Sequence, residues 1–151
     1  MSYTIQIEHV TPRPLAVVRR QASLNQLSTV VPDACGVVWS VLRSMQSKGM
    51  GRNVAVYLDE QINLEVGVEM DAEFAPTGEV IASATPGGTA ATATLLGPYS
   101  HLPDVHRAMR VWCKDHQHKL AGPNWEIYGH WSDDPAKLRT DVFYLLAPDT
   151  V

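Results

Sequence analysis

One short segment places a carboxylate in an unusual setting. Residues 124–128 read Asn-Trp-Glu-Ile-Tyr, and these aromatic and branched residues, after a Gly-Pro turn, predict a β-strand. Since side chains alternate along a strand, Glu126 shares a face with Tyr128, whereas Trp125 packs on the other face. Burying a carboxylate among rings is costly unless a cation or hydrogen-bond donors meet it. Glu126 is therefore the first candidate for a functional residue.

Two kinds of chemistry suit a carboxylate flanked by aromatic rings. A delocalised organic cation would gain an ion pair and cation–π attraction of roughly 0.5–2 kcal/mol per ring. An acid in an apolar wall could instead have a raised pKa and act as a general acid or base. Binding and hydrolysis would use Glu126 in different protonation states, and the residues alone leave both open.

Composition argues against several functional classes. The 151 residues suit one domain, and a net charge of −4 disfavours direct binding of nucleic acid through its phosphates. No apolar run reaches the ~20 residues of a membrane span and no signal peptide is readable, so we expect a cytoplasmic location. The six histidines lack metal-site spacing; His116 and His118, two apart on a predicted helix, should not face one site. We expect no metal and no cofactor, and we interpret Cys35 and Cys113 as buried thiols.

The predicted elements follow one order twice: strand, strand, helix, strand, strand. The first half is predicted to hold strands 4–8, 15–20, 53–58 and 62–70, with a helix that begins at Pro32 and ends at Gly49. The second half is predicted to hold strands 79–84, 89–96, 124–131 and 138–146, with a helix over 101–119.

Strand 62–70 has the clearest alternation in the sequence, and it follows a short turn at 59–61. The branched and long apolar side chains of this strand are predicted to share a buried face: Ile62, Leu64, Val66, Val68 and Met70. The intervening residues are predicted to face solvent or an entrance: Asn63, Glu65, Gly67 and Glu69.

Direct comparison of the two halves indicates a duplication. Moving residues 32–57 by 71 positions places them on 103–128. Seven identities result, where chance supplies roughly two: Pro32/Pro103, Asp33/Asp104, Gln46/Gln117, Lys48/Lys119, Gly51/Gly122, Asn53/Asn124 and Tyr57/Tyr128. We therefore predict one domain, residues 1–151, made of two repeats at about 1–75 and 76–151.

One difference within this register bears on function. Ala55 stands in the first half where Glu126 stands in the second. If the halves pack side by side, a groove between them receives the acid from one side only, flanked by Tyr57 and Tyr128. Trp39 lies beside the apolar stripe of the first helix, where it is placed to reach across the groove.

Three motifs resemble the GyrI-like family, the effector-binding domain of AraC- and MerR-type regulators. They are Gly-Pro-Tyr at 97–99, Gly-Pro-Asn-Trp-Glu-Ile-Tyr at 122–128 and Leu-Arg-Thr-Asp-Val-Phe-Tyr at 138–144. The resemblance covers essentially the whole chain. It implies an α+β fold in which tandem duplicated βαββ units form one antiparallel sheet with two long helices and a central ligand groove. The family's buried glutamate corresponds to Glu126, and its tyrosine two residues later to Tyr128.

The resemblance also implies a function. Family members bind bulky small molecules, often cationic or aromatic, and we expect a stand-alone member with Glu126, Tyr128, Tyr57 and Trp39 as ligand-binding residues. The alternative is a hydrolase that opens cyclopropane rings of alkylating natural products with Glu126 as catalytic residue; a third is an interaction protein of the gyrase-inhibitor type. Oligomeric state stays open, as does which of Phe143 and Tyr144 faces the groove. Tyr99 is interpreted as structural, and Trp112 as core.

Overall fold

The protein folds into a single eight-stranded antiparallel sheet with two α-helices on one face, as predicted for the α+β class. The structure is a computed structural model that describes residues 3–59, 63–130 and 132–148. The strands are β1 (Gln6–Val10), β2 (Pro14–Gln21), β3 (Met50–Tyr57), β4 (Asn63–Met70), β5 (Ile81–Ala84), β6 (Gly88–Leu96), β7 (Leu120–Tyr128) and β8 (Arg139–Leu146). The helices are α1 (Leu27–Ser44) and α2 (Leu102–Asp115).

The strand order is symmetric about its centre. It runs β1-β6-β8-β7-β3-β4-β2-β5, so exchanging the two halves of the chain leaves it unchanged. The first strand of each half pairs with the other half, β1 with β6 and β5 with β2. At the centre β3 pairs with β7, and Ala55 lies directly opposite Glu126. The two positions that differ in the sequence comparison therefore meet at the middle of the sheet.

Both faces of the sheet carry an apolar core. On one face α1 packs over β2, β3 and β4, and α2 packs over β6 and β8. On the other face Trp125 stacks on Phe143, with ring centroids 5.1 Å apart and planes 6° apart. That cluster also includes Val10 from β1 and Ile81 from β5, the two edge strands. The sheet therefore curves round this second core.

The two connections that enter β2 and β6 are bonded to each other. The Arg13 amide donates to Thr85 Oγ1 at 2.9 Å, and the Thr85 amide donates to the Arg13 carbonyl at 3.0 Å. Since each connection leaves a strand that pairs with the opposite half, these bonds hold the exchanged strands β1 and β5 in place.

The helix boundaries differ from those predicted. Helix α1 begins at Leu27 rather than Pro32, because Leu27, Val30 and Val31 pack against the core and support an extra turn despite the proline. Both helices end early, at Ser44 and Asp115, rather than near Gly49 and Lys119. Gln46 and Gln117, which correspond in the sequence comparison, have φ of 53° and 60°, and a left-handed residue ends a helix.

All eight predicted strands are present, with shifted ends. Strand β1 begins and ends two residues later than the predicted strand 4–8, and β7 begins at Leu120 rather than Asn124. Residues 60–62 and Trp131, which the predictions placed in a turn and at two strand ends, lie outside the described residues. Tertiary pairing sets these ends, since a strand continues as far as its neighbour does.

The prediction that Glu65 and Glu69 face solvent or an entrance is wrong. Both residues are buried, 4% and 6% exposed, because arginines on β2, on β3 and in the connection before β2 pair with them. Arg19 reaches Glu65 at 3.1 Å, and Arg13 and Arg52 reach Glu69 at 2.7 and 2.8 Å. Alternation correctly separated the two faces of β4 but could not show that the second face is also covered.

Acid stability should depend on Glu69. Burial raises its pKa, but the hydrogen bonds from Arg52 and Arg13 outweigh burial and hold the pKa below the ordinary 4.5. A carboxylate with a lowered folded-state pKa stabilises the fold above its unfolded pKa, and this contribution is lost as the pH falls through the folded value. In urea unfolding from about pH 6 to about pH 3, Glu69→Gln should lose less stability than wild type. Glu79→Gln, which alters an exposed partner of Arg20, should keep the wild-type slope; identical slopes for Glu69→Gln and wild type would contradict this role.

The two cysteines are free, buried thiols, as predicted. Burial raises the pKa of Cys35 to about 11 and also raises that of Cys113. Neither is therefore an activated nucleophile, since thiolates carry cysteine reactivity. Within the described residues, no helix is both long enough and apolar enough to cross a membrane.

Candidate functional site

Glu126 lies at the centre of the sheet on the face that carries the helices. It is 4% exposed, with fully buried Ala55 opposite it on β3 and Val142 opposite it on β8. Strands flank it on both sides, so its carboxylate can meet only side chains of this face and of the helices above. The acid is inside the protein rather than on a wet face.

Two tyrosines donate to the same carboxylate oxygen. The hydroxyl groups of Tyr128 and Tyr57 lie 2.6 and 3.1 Å from Glu126 Oε1. They come from equivalent places on β7 and β3, two residues beyond Glu126 and Ala55. Burial first, and then the nearby charge of Glu126, raise the pKa of both phenols. Tyr57 and Tyr128 therefore stay protonated donors at all physiological pH values.

The second carboxylate oxygen faces α2. Glu126 Oε2 lies 2.7 Å from His106 Nε2, and His106 Nδ1 lies 2.6 Å from the Tyr144 hydroxyl. Exposed Arg110, one helical turn further, donates to that hydroxyl at 3.1 Å. A continuous hydrogen-bonded chain thus joins the buried acid to the protein surface.

The hydrogen-bonded chain gives each of its polar groups a partner. His106 contacts Glu126 through Nε2 and Tyr144 through Nδ1, and Arg110 donates to the Tyr144 oxygen. Because an ionised carboxylate only accepts hydrogen bonds, His106 Nε2 donates to Glu126 Oε2. The permanently charged guanidinium of Arg110 is separated from the carboxylate by Tyr144 and His106.

The carboxylate is nevertheless held ionised. Burial by itself raises the pKa of Glu126, but the hydrogen bond and charge of His106 and the bonds from Tyr128 and Tyr57 outweigh it. The net result is a pKa below the ordinary 4.5. Preorganised donors thus replace the water that an exposed carboxylate would bind.

A family profile decides the identity of this fold. The profile described as the GyrI-like small molecule binding domain matches residues 3–146. This chain belongs to the GyrI-like family. The resemblance carried by the three sequence motifs is confirmed, and the implied α+β fold of one antiparallel sheet with two helices is the one observed. No curated protein matches the chain in sequence.

Solved structures share the GyrI-like fold at low identity. The C-terminal domain of EcmrR has a TM-score of 0.77 at 18% identity, covering 97% of this chain and 99% of that one. SAV2435, solved bound to tetraphenylphosphonium, has a TM-score of 0.71 at 12% identity, with 97% and 94% covered. A hydrolase from Listeria innocua has a TM-score of 0.62 at 10% identity, with 95% and 91% covered. The chain spans 57% of the EcmrR chain in a complex with DNA.

The GyrI-like domain brings two of the three predicted aromatic residues to Glu126. Tyr57 and Tyr128 both bind the carboxylate, as described. Trp39 packs with the α1 core, and its indole N–H donates to Asn53 Oδ1 at 2.6 Å. Asn53 lies opposite Tyr128 on β3. Trp39 therefore borders the site through Asn53 instead of bonding to the acid.

The structure also shows which way the aromatic side chains face where the sequence left this undecided. Tyr144 lies on the helix face and bonds to His106, whereas Phe143 stacks on Trp125 behind the sheet. Tyr99, 36% exposed, meets Tyr128 edge-on with ring centroids 5.7 Å apart. Tyr99 is thus the outermost ring of the group around Glu126, and its aromatic contact with Tyr128 is compatible with the predicted structural role.

Sequence reasoning missed His106 and Arg110. His106 follows buried Val105 on α2 and sits three residues before buried Met109, so a polar residue interrupted the core stripe. That interruption of the core stripe is the sequence signal for His106, and it is independent of metal-ligand spacing. Among the described residues, no three His, Cys, Asp or Glu side chains are placed to hold a metal ion.

The polar chain exists in the second half of the GyrI-like domain alone. Under the 71-residue shift, His106 corresponds to Cys35 and Arg110 to Trp39. The strand registers make Val68 the counterpart of Tyr144, because Val66 faces Ala55 as Val142 faces Glu126. The acid and three of its polar neighbours therefore have apolar or weakly polar counterparts, whereas the tyrosine pair is symmetric.

His116 and His118 share an aromatic partner at the end of α2. Both rings stack on Trp112, with centroids 4.2 and 5.5 Å away. Helix α2 ends at Asp115, and left-handed Gln117 turns His118 back toward the indole. Trp112 is half-buried against the α2 core rather than fully enclosed.

Two open grooves lie away from Glu126. One, of about 700 Å³, runs between α2 and the N-terminal segment and includes Trp112 and Tyr3. The other, of about 610 Å³, includes Arg20 and Leu58. Neither is lined by Glu126 or by its tyrosines. In this state the protein's own donors surround the acid.

Proposed function

We propose that this GyrI-like domain binds a hydrophobic organic cation, with or without planar aromatic rings, at Glu126. The observation that supports this best is a buried, ionised carboxylate that bonds to Tyr57, Tyr128 and His106 and, among the described residues, to no lysine or arginine. A buried charge without a counter-ion is unfavourable in a low dielectric, so a cation placed beside it gains more than it would in water.

The aromatic surroundings of Glu126 support a ligand with its charge spread over rings or masked by them. Tyr57 and Tyr128 flank the carboxylate, Tyr99 meets Tyr128 edge-on, and Trp39 lies one side chain further out. A cation over such ring faces gains roughly 0.5–2 kcal/mol per ring, and apolar parts of the ligand gain by leaving water. The tetraphenylphosphonium bound to SAV2435, a protein of the same fold, belongs to this chemical class.

Binding is a better proposal than hydrolysis for Glu126. A general acid must be protonated near neutral pH, whereas this carboxyl has a pKa below its ordinary value. A general base must contact the water that it activates, whereas Tyr57, Tyr128 and His106 occupy both oxygens of Glu126. The Listeria innocua hydrolase shares the fold at 10% identity, which carries no catalytic residue across. A carboxylate held ionised by fixed donors suits a permanent electrostatic role.

Substituting Glu126 tests the proposal. Titration of rhodamine 6G, followed by fluorescence anisotropy, should show binding to wild type and an affinity about tenfold to a hundredfold lower in Glu126→Gln. The glutamine amide oxygen can still accept from Tyr57 and Tyr128, so the fold should persist, as circular dichroism would show. Glu79→Gln, an exposed change of the same kind, should bind as wild type does. Equal affinity in wild type and Glu126→Gln would remove the carboxylate from the site.

A further inference from the structure

We propose that the ligand carries its charge on a protonated nitrogen, and that this N–H takes the place of the His106 N–H on Glu126 Oε2. The inference rests on the proposed function and specifies which of its cations bind most tightly: protonated amines, amidines and protonated ring nitrogens, in preference to quaternary ammonium or phosphonium ions. His106 then determines specificity, because it occupies the position that the ligand must take.

The two oxygens of Glu126 are satisfied in different ways. Oε1 accepts from Tyr57 and Tyr128, which both belong to the central strands of the sheet. Oε2 accepts from His106 of α2, and within the described residues no second donor bonds to this oxygen. The sheet therefore completes one oxygen by itself, and only the helix side of the carboxylate offers a contact that can be exchanged.

The imidazole is the exchangeable group on geometric grounds. The His106 side chain is 15% exposed, three times the fraction of the Glu126 side chain at 5%. His106 therefore lies between the acid and solvent on the helix side of the sheet. The equivalent position on α1 holds Cys35, which packs in the core beside Ala55. A helix therefore does not need an imidazole at this position in order to pack on the sheet. The imidazole is found in the half of the chain that also carries the acid.

A ligand that displaces His106 must itself supply the hydrogen bond that Glu126 Oε2 loses. With the imidazole gone, Oε2 becomes a buried, charged acceptor without a donor, which is among the costlier defects in a protein interior. A ligand N–H restores that bond and brings a positive charge to the carboxylate. A quaternary nitrogen or a phosphonium brings charge but no proton, so Oε2 stays unpaired.

A matched pair of dyes tests this inference. Acridine orange carries a proton on its ring nitrogen at neutral pH, and 10-methylacridine orange carries a methyl group there, with the same charge and nearly the same shape. We expect wild type to bind acridine orange at least about tenfold more tightly than the methylated dye, as a charge-assisted hydrogen bond provides. In Glu126→Gln both affinities should fall and the ratio should shrink toward one.

His106 variants separate displacement from simple stacking. His106→Ala removes the internal competitor, so its affinity for acridine orange should rise several-fold while the preference over the methylated dye persists. His106→Gln keeps a donor for Oε2 and serves if the alanine variant does not fold. Its affinity should lie near that of wild type.

The outcomes are distinguishable. Equal binding of the two dyes to wild type, with loss of both in Glu126→Gln, would overturn the N–H requirement and leave the cation site standing. A preference that survives unchanged in Glu126→Gln would also overturn it. Binding of neither dye to wild type would overturn the proposed function itself.

Discussion

Ala55→Glu is expected to destabilise the domain by about 3–5 kcal/mol at neutral pH, although it makes the two halves more alike. Ala55 is fully buried and lies directly opposite Glu126, so the two side chains would be about 4.5–5.5 Å apart at Cβ. The donors of this region, Tyr57, Tyr128 and His106, already serve Glu126. A second carboxylate would be buried beside the first with no partner and with the same charge.

A matched neutral variant isolates the charge. Ala55→Gln adds nearly the same volume, so the difference between the two variants in urea unfolding at pH 7 measures the unpaired charge rather than overpacking. Protonating the introduced acid removes its charge, so the difference should narrow as the pH is lowered to about 4. Equal stability of the two variants at pH 7 would mean that the centre of the sheet accommodates two acids, and the argument for a single isolated charge would fail.

Gly67→Ala is the second change with a large expected effect, a loss of about 3 kcal/mol or more in the free energy of unfolding. Gly67 lies on β4 opposite Val17 of β2, and a Cβ added there would lie 1.8 Å from the Ala16 carbonyl oxygen. That atom belongs to the backbone and cannot turn aside. Strands β2 and β4 would have to separate at this position.

Gly36→Ala provides the contrast for Gly67→Ala. Gly36 lies inside α1, and an added Cβ would meet no atom within 4 Å. This change should stabilise the protein by roughly 0.5–1 kcal/mol, because alanine loses less backbone entropy in a helix. Urea unfolding of both variants gives the test. A loss below about 1 kcal/mol for Gly67→Ala would contradict the close approach of β2 and β4.

The site results from broken symmetry. Two matching halves bring Tyr57 and Tyr128 to one point, and a symmetric sequence would have placed two acids or none there. With alanine opposite Glu126, the charge is single and both tyrosines serve it. The remaining polar residues, His106, Tyr144 and Arg110, then occur only on the side of the acid. The difference between the two halves thus places a charged centre within an otherwise apolar layer.

Local patterns were sufficient for the elements and for the key acid. Alternation predicted the strands, helical periodicity predicted α1 and α2, and the comparison of halves identified Ala55 as the counterpart of Glu126. These features could be recognised because each depends on residues close together in the chain, or on a fixed shift between two segments. The three motifs then identified the family, which the family profile confirmed.

The tertiary structure alone decided which side chains meet the acid and which faces are closed. His106 reaches Glu126 from a helix 20 residues away in sequence, and Tyr144 rather than Phe143 turns toward it. Glu65 and Glu69 are buried because arginines distant in sequence pair with them. The physical reason is common to all three cases. Periodicity separates two faces of an element, but strand register and helix docking, which are non-local, determine what lies against each face.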